Sequence, residues 1–286
     1  MEIELSGIKG DILLGYFAGL GVINALSKVY PEVALRWNES GSAVLSLNPN
    51  RKREQLAKDL ELQLQESGKA FASIGTGGFH KTTKEDFRSS LTEKNVSIQQ
   101  AQILRFLSGE TQHQIDQSKE RLTLSKLVLL QGTGGKDYLK TVANLDSQMT
   151  LQQLEETLFQ PWQYAEQSRN VSLLFSSFDR QEAALLAEKP SGINPAQLAA
   201  NRLAVDGLLL VPTFLSKKDN LWTKGMSGKN FKWSLNPTFL DLEELNVLIT
   251  LDSNSPYLLK WPSYETKRVT AGYYHFFEPA AQSRFS

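Results

Sequence analysis

Two copies of one tetrapeptide stand in the chain with Lys close behind: "SIGTGGFHKTT" at residues 73–83 and "LLQGTGGKDYLKT" at residues 129–141. Glycine loops of this kind hold anions when several backbone N–H groups turn toward one ligand and a Lys adds charge. A nucleotide-hydrolysing phosphate loop requires G-x-x-x-x-G-K-[ST], and this spacing does not supply it. Leu130 stands where the first glycine before Gly135 should be, and Asp137 follows Lys136 where Ser or Thr is needed. In the first copy Phe79 and His80 separate Gly78 from Lys81, and neither loop completes G-x-G-x-x-G. What remains is either a tight turn in which glycine takes positive φ or a loop whose backbone approaches a flat or anionic partner closely. The second copy is the better candidate: Lys136 follows Gly132, Thr133, Gly134 and Gly135 directly, after the apolar run "KLVLL". Lys81 is the corresponding cation of the first.

A second candidate is compositional. "PTFLSKKDNLWTKGMSGKNFKW" at residues 212–233 carries Lys217, Lys218, Lys224, Lys229 and Lys232 against one acid, Asp219, with Trp222, Phe231 and Trp233 interleaved. Lysines neutralise phosphates and aromatic faces stack on bases; equally, the lysines can be solvated while the aromatics enter the core. A shorter basic run, Arg51, Lys52 and Arg53, follows "NPN" and is placed in the first turn of a helix.

Other chemistries find little support. There is no Cys, which removes disulfides, thiolate nucleophiles and Cys-based zinc sites. His80, His113 and His275 have no partner at metal-binding spacing, and no cofactor is expected. Lys plus Arg and Asp plus Glu both number 31, so net charge does not announce a nucleic-acid binder. No apolar run of about eighteen residues is present, and the acidic start "MEIELSGIKGD" does not resemble a secretory signal; the expectation is a cytoplasmic protein with no membrane segment.

The elements that must position these residues alternate. Residues 12–30, "ILLGYFAGLGVINALSKVY", are apolar nearly all round and predict a buried helix, with Gly15, Ala18, Gly19 and Gly21 permitting close packing. "VALRW" and "SAVLSL" predict strands around the turn "NESG", and Leu56, Leu60 and Leu64 mark a helix over 51–66. "AFASI" and "KLVLLQ" predict strands leading into the two glycine loops, with a helix through Ile98, Ala101, Leu104 and Leu107 between them. Residues 108–120 read as an exposed loop or mobile connection. Beyond Asp146, helices are predicted at "TLQQLEETLFQPW", at "NPAQLAANRLAVDGLLLVP" with Asn194 as cap, Pro195 as first residue and a stop before Pro212, and at "LDLEEL", where Asp241 and Glu244 have capping-box spacing. "RVTAGYYHFF" predicts a strand. The class is α+β: a mixed part at residues 1–148 with the glycine loops, then a more helical part at 149–286 with the lysine-aromatic loop and a terminal strand.

Taken in order, "GDILLGYFAGLGVINAL", Trp37, "LLQGTGGKD", "FDRQEAALLAEKPSG", "ANRLAVDGLLLVP" and "FKWSLNPTFLDLEELNVLI" resemble the large-subunit family of type I-G (formerly I-U) CRISPR interference complexes. The resemblance is scattered over most of the chain. It implies a non-catalytic subunit of an RNA-guided complex, partnered by guide RNA, repeating backbone subunits, double-stranded target DNA and a helicase-nuclease. Such a subunit contacts the short motif beside the target and helps to open the duplex, while base pairing reads the sequence. Two other classes stay open: an enzyme acting on a small phosphorylated or carboxylated substrate at the glycine loops, with Asp137, His80 or Asp206 as acid or base, and a purely structural adaptor.

Overall fold

All of the helix Leu13–Leu26 (α1) is buried. A helix without a polar face must be covered on every side, and the fold is the means of covering it. The structure is a computed structural model that describes residues 1–74, 100, 102–103, 106, 108–110, 122–129, 136–164, 166–168, 172–173, 175, 194–211, 213–215, 221–251, 255, 258–271 and 274–283.

On one side of α1 lies an antiparallel sheet in the order β1-β3-β2, built from Glu2–Lys9 (β1), Ala34–Trp37 (β2) and Ser42–Ser46 (β3). The predicted hairpin is present, and Gly41 in its turn has φ +73°, a value that favours glycine. On another side lies the helix Leu198–Leu208 (α5), also buried throughout. The helices Arg53–Ile74 (α2), Lys136–Gln148 (α3) and Leu151–Phe159 (α4) complete the helical layer. Ser6 in β1 donates a hydrogen bond of 2.7 Å to the carbonyl of Phe159 at the end of α4.

A second sheet, in the order β10-β11-β12-β13, covers the aromatic end of α1. Its strands are Met226–Ser227 (β10), Asn230–Ser234 (β11), Ser263–Ala271 (β12) and Tyr274–Phe277 (β13), and Ala281–Gln282 (β14) pairs with β12. Phe17 meets Phe231 at 5.4 Å, and Tyr16 meets Trp233 at 5.8 Å, between ring centroids. Trp233 Nε1 donates to the carbonyl of Gly10 at 2.7 Å, and the Trp37 amide donates to the carbonyl of Asn236 at 2.8 Å. Short two-stranded ladders pair Ser108–Glu110 (β4) with Leu122–Leu124 (β5), Glu166–Ser168 (β6) with Asn194–Ala196 (β7), and Thr213–Leu215 (β8) with Leu221–Thr223 (β9). The helix Leu242–Thr250 (α6) carries the predicted Asp241–Glu244 capping box, and α4 carries a second one formed by Thr150 and Gln153; such a cap is worth about 1 kcal/mol.

The fold is therefore α+β. One apolar core holds α1 and β1 together with α5, Phe231 and Trp233, and among the described residues of 213–283 seven strands accompany α6. Four local expectations are corrected. Residues 70–74 are the last turn of α2, because Phe71 extends the buried stripe Leu56, Leu60, Leu64 and Ser67 at helical spacing. Lys126–Leu129 is not a strand; β5 ends at Leu124, and Leu127, Val128 and Leu129 are buried in succession around a turn closed by the Val128 amide on the Ser125 carbonyl. Residues 108–110 are strand rather than loop. Asn194 and Pro195 lie in β7, and α5 starts after Gln197, whose buried amide donates to Thr157 Oγ1 at 2.8 Å and fixes where the helix begins.

Candidate functional site

The most heavily built polar site in the described residues sits where α2, α3 and α5 meet. Arg202 on α5 is fully buried. Its Nε donates to Asp146 on α3 and its Nη1 to Asp206, one turn further along α5. Its Nη2 donates to the carbonyl of Leu64 at 2.6 Å and to Ser67 Oγ at 3.1 Å, both on α2. Ser67 in turn donates to Asp206 Oδ2 at 2.9 Å, and Asn24 of α1 reaches the Asp206 carbonyl at 2.9 Å. One guanidinium therefore ties three helices together.

The sequence prepares this locally. Arg202 and Asp206 are four residues apart, so they share a helix face, and Gly68 of α2 leaves room for the carboxylate: a Cβ there would stand 2.5 Å from Asp146 Oδ2. Burial raises the Asp146 carboxyl above its ordinary range, opposed by the nearby Arg202 charge. Burial alone would lower the Arg202 guanidinium, but Asp206 and Asp146 outweigh it and hold it above its ordinary value. The Tyr138 phenol is pushed up by burial and by the charge of Asp206. Among the described residues, Asp206 Oδ1 and Tyr138 Oη are buried without a hydrogen-bond partner.

This arrangement holds helices rather than a substrate. Every nitrogen of Arg202 is occupied, and Asp206, considered above as an acid or base, is fully buried as the counter-ion of Arg202. Arg202 and Asp146 were not singled out from the sequence. The signal for Arg202 was present, an Arg four residues before an Asp in an otherwise apolar helix; for Asp146, an acid on another element, there was none.

The residues expected to touch nucleic acid fare unevenly. Gly132, Thr133, Gly134 and Gly135, the Lys136 side chain, Lys81, Lys217 and Lys218 lie outside the described residues or side chains. So do His80, His113 and the Asp137 side chain. Lys224 is buried and does not belong to an exposed surface. Lys229 is exposed in the turn after Gly228, which has φ +61°, and Lys232 on β11 is exposed with an ion pair of 3.4 Å to Glu265. Phe231 and Trp233 are core residues, not stacking platforms. Arg51 stacks on Tyr30, donates to its hydroxyl at 2.8 Å and pairs with Asp59 at 3.5 Å. Arg53 lies over the Phe159 ring at 4.8 Å, and Lys52 is exposed. The structure thus brings Lys229 and Lys232 to one exposed hairpin and leaves Arg51 and Arg53 tied to the body of the fold.

Among the described residues no group of three or more His, Asp or Glu is placed to hold a metal ion, and no helix is long and apolar enough to cross a membrane. Comparison of the chain with protein-family models, with curated proteins and with solved structures gives no match.

Proposed function

We propose that the chain is a non-catalytic large subunit of an RNA-guided CRISPR interference complex of type I-G, contacting the motif beside the target and helping to open duplex DNA. One observation carries the reading. The segments that resemble the family are far apart in the sequence, yet those among the described residues pack on one another. "GDILLGYFAGLGVINAL" supplies α1, "ANRLAVDGLLL" supplies α5 with the Arg202–Asp206 pair, and "FKWSL" supplies the strand whose Phe231 and Trp233 meet Phe17 and Tyr16. That the described segments of the likeness build one shared core supports common ancestry of a fold. The exposed hairpin with Lys229 and Lys232 then supplies cations for backbone phosphates, and sequence reading is left to the guide.

The test is purification of the chain from its host under native conditions. A short guide RNA and repeating subunits should come with it; a chain that purifies alone, or with neither, overturns the proposal. In the assembled complex, Lys229→Gln should lower the slope of log affinity for duplex target against log salt by about 0.7 to 0.9 if one phosphate contact is lost. Lys232→Gln should have a smaller effect, because Glu265 already neutralises that ammonium. Equal slopes for Lys229→Gln and the unaltered complex would remove this hairpin from the DNA contact.

A further inference from the structure

The inner face of the second sheet begins as core and ends as charge. Trp233 stands opposite Tyr264, Phe231 opposite Thr266, and Phe277 opposite Arg268. Residues directly opposite one another in an antiparallel pair share a face, and so do residues two apart along a strand. Arg268 and Thr270 therefore continue the face that Phe231, Trp233 and Phe277 bury in the core. On β13, directly opposite Thr270, stands His275. On the other side, the Lys229 carbonyl accepts from the Arg268 amide at 2.7 Å, which places Lys229 opposite Arg268. Lys126 reaches the same turn, its Nζ donating to the Gly228 carbonyl at 3.4 Å.

Arg268 is the anomaly. Its Nε and Nη2 are shut away from solvent, and among the described residues neither has a hydrogen-bond partner. Buried polar atoms are almost always paired, and a guanidinium more than most. Elsewhere in this chain Arg202 shows how a buried guanidinium is satisfied, with two carboxylates, a carbonyl and a hydroxyl. Around Arg268 the nearby carboxylates are turned aside. Glu265 lies on the opposite face of the sheet, engaged by Asn230 and Lys232, and Glu278 stands opposite Lys267 on that same outer face. Among the described residues, the polar neighbours on this face are Lys229, Thr270 and His275. Burial first, and then the nearby Arg268 charge, hold the His275 imidazole below its ordinary pKa. Its Nδ1 lies 2.9 Å from Thr270 Oγ1; with that hydroxyl as donor, the ring carries its proton on Nε2.

We propose that Arg268, His275 and Lys229 form an oxyanion site of the phosphate class at the end of this sheet, with Arg268 as its principal donor. A tetrahedral oxyanion accepts from the fork of a guanidinium and retains oxygens for an imidazole N–H and an ammonium. The group that fits is a phosphate, carried either on a nucleic-acid backbone or as a free phosphate or monoester. This inference rests on the vacant donors of Arg268 and not on the assembly proposed above, so either can fail alone.

The test uses the full chain with two probes, inorganic phosphate and a fluorescein-labelled oligothymidylate. Inorganic phosphate should raise the Tm relative to chloride at matched ionic strength, and Arg268→Met should lose that rise. If the source is a nucleic-acid backbone, Arg268→Met should also weaken oligothymidylate binding by about tenfold or more, the loss expected of a charge-assisted pair. A phosphate effect without oligothymidylate binding identifies a free phosphate or monoester. Should Arg268→Met fail to fold, Lys229→Gln combined with His275→Gln must diminish the same responses. The proposal is overturned if neither probe acts on the unaltered chain, or if the variants respond as it does.

Discussion

Arg202→Met should destabilise the fold by about 3 to 5 kcal/mol, the loss expected when one partner of a buried ion pair is removed and the other is left behind. Methionine fills much of the volume but satisfies none of the acceptors. Asp206 would keep a carboxylate in a site with no solvent, and Ser67 Oγ and the Leu64 carbonyl would each lose a donor. Urea unfolding followed by circular dichroism gives the difference directly. Two further results separate loss of charge pairing from simple repacking. Adding Asp206→Leu to Arg202→Met should recover a large part of the loss, because whole buried ion pairs exchange for apolar groups at little cost. The pH dependence should change in a definite sense. The Asp146 carboxyl already stands above its ordinary range through burial, and the Arg202 charge opposes that rise. Without Arg202 its folded pKa climbs further above the unfolded value. Between the two pKa values the folded state then binds more protons than the unfolded one, so the variant gains stability as pH falls through the folded pKa toward the unfolded one and loses it again as pH rises back through the folded pKa. A variant as stable as the unaltered chain, with the same pH profile, would mean that the cluster is dispensable.

How much of this was legible in the sequence depends on how far each signal reaches along the chain. The buried helix α1 was legible because it lacks a polar face, and α6 was legible because Asp241 and Glu244 cap it across three residues. The hairpin of β2 and β3 was legible from its turn. Short apolar runs misled. "AFASI" has the composition of a strand, but the stripe begun by Leu56 continues through Phe71 and keeps it helical. In "KLVLLQ", Leu127, Val128 and Leu129 are buried in succession without strand pairing, enclosed on more than one side. Asn194-Pro195 mimics a helix start, and only the distant partner strand β6 shows it to be a ladder. The polar sites were the least legible. Asp146 meets Arg202 across 56 residues. Arg268 becomes unusual only once the register of β11, β12 and β13 puts it on the core-facing side; in "RVTAGYYHFF" it reads as an ordinary surface charge. Aromatics that composition offered as base-stacking groups, Phe231 and Trp233, are explained by the need to cover α1.

A loss of similar size should come from the smallest addition, a methyl group between α1 and α5. The two helices approach so closely that a Cβ on Gly21 would stand 1.8 Å from the Leu203 carbonyl oxygen. A Cβ on Gly207 would stand 2.0 Å from the Phe17 carbonyl oxygen and 2.9 Å from the Gly21 nitrogen. Each glycine is the cavity into which the other helix fits. The atoms in the way are backbone, so no rotamer change relieves the overlap. Both helices are buried along their whole length, α1 by two sheets and α5 by α1 and the Arg202 cluster, so neither can retreat without disturbing the rest of the core. Gly207→Ala should therefore cost about 3 kcal/mol or more, at or above the upper end of ordinary overpacking, although alanine is by about 1 kcal/mol the better helix former. That opposition makes the experiment sharp: helix propensity predicts a gain, and packing predicts a large loss. Gly21→Ala should behave alike, and the double variant should lose less than the sum of the two, since separation of the helices by the first methyl makes room for the second. Additive losses would place the two glycines in separate contacts, and a Gly207→Ala chain with an unchanged Tm would mean that α1 and α5 stand further apart than their glycines require.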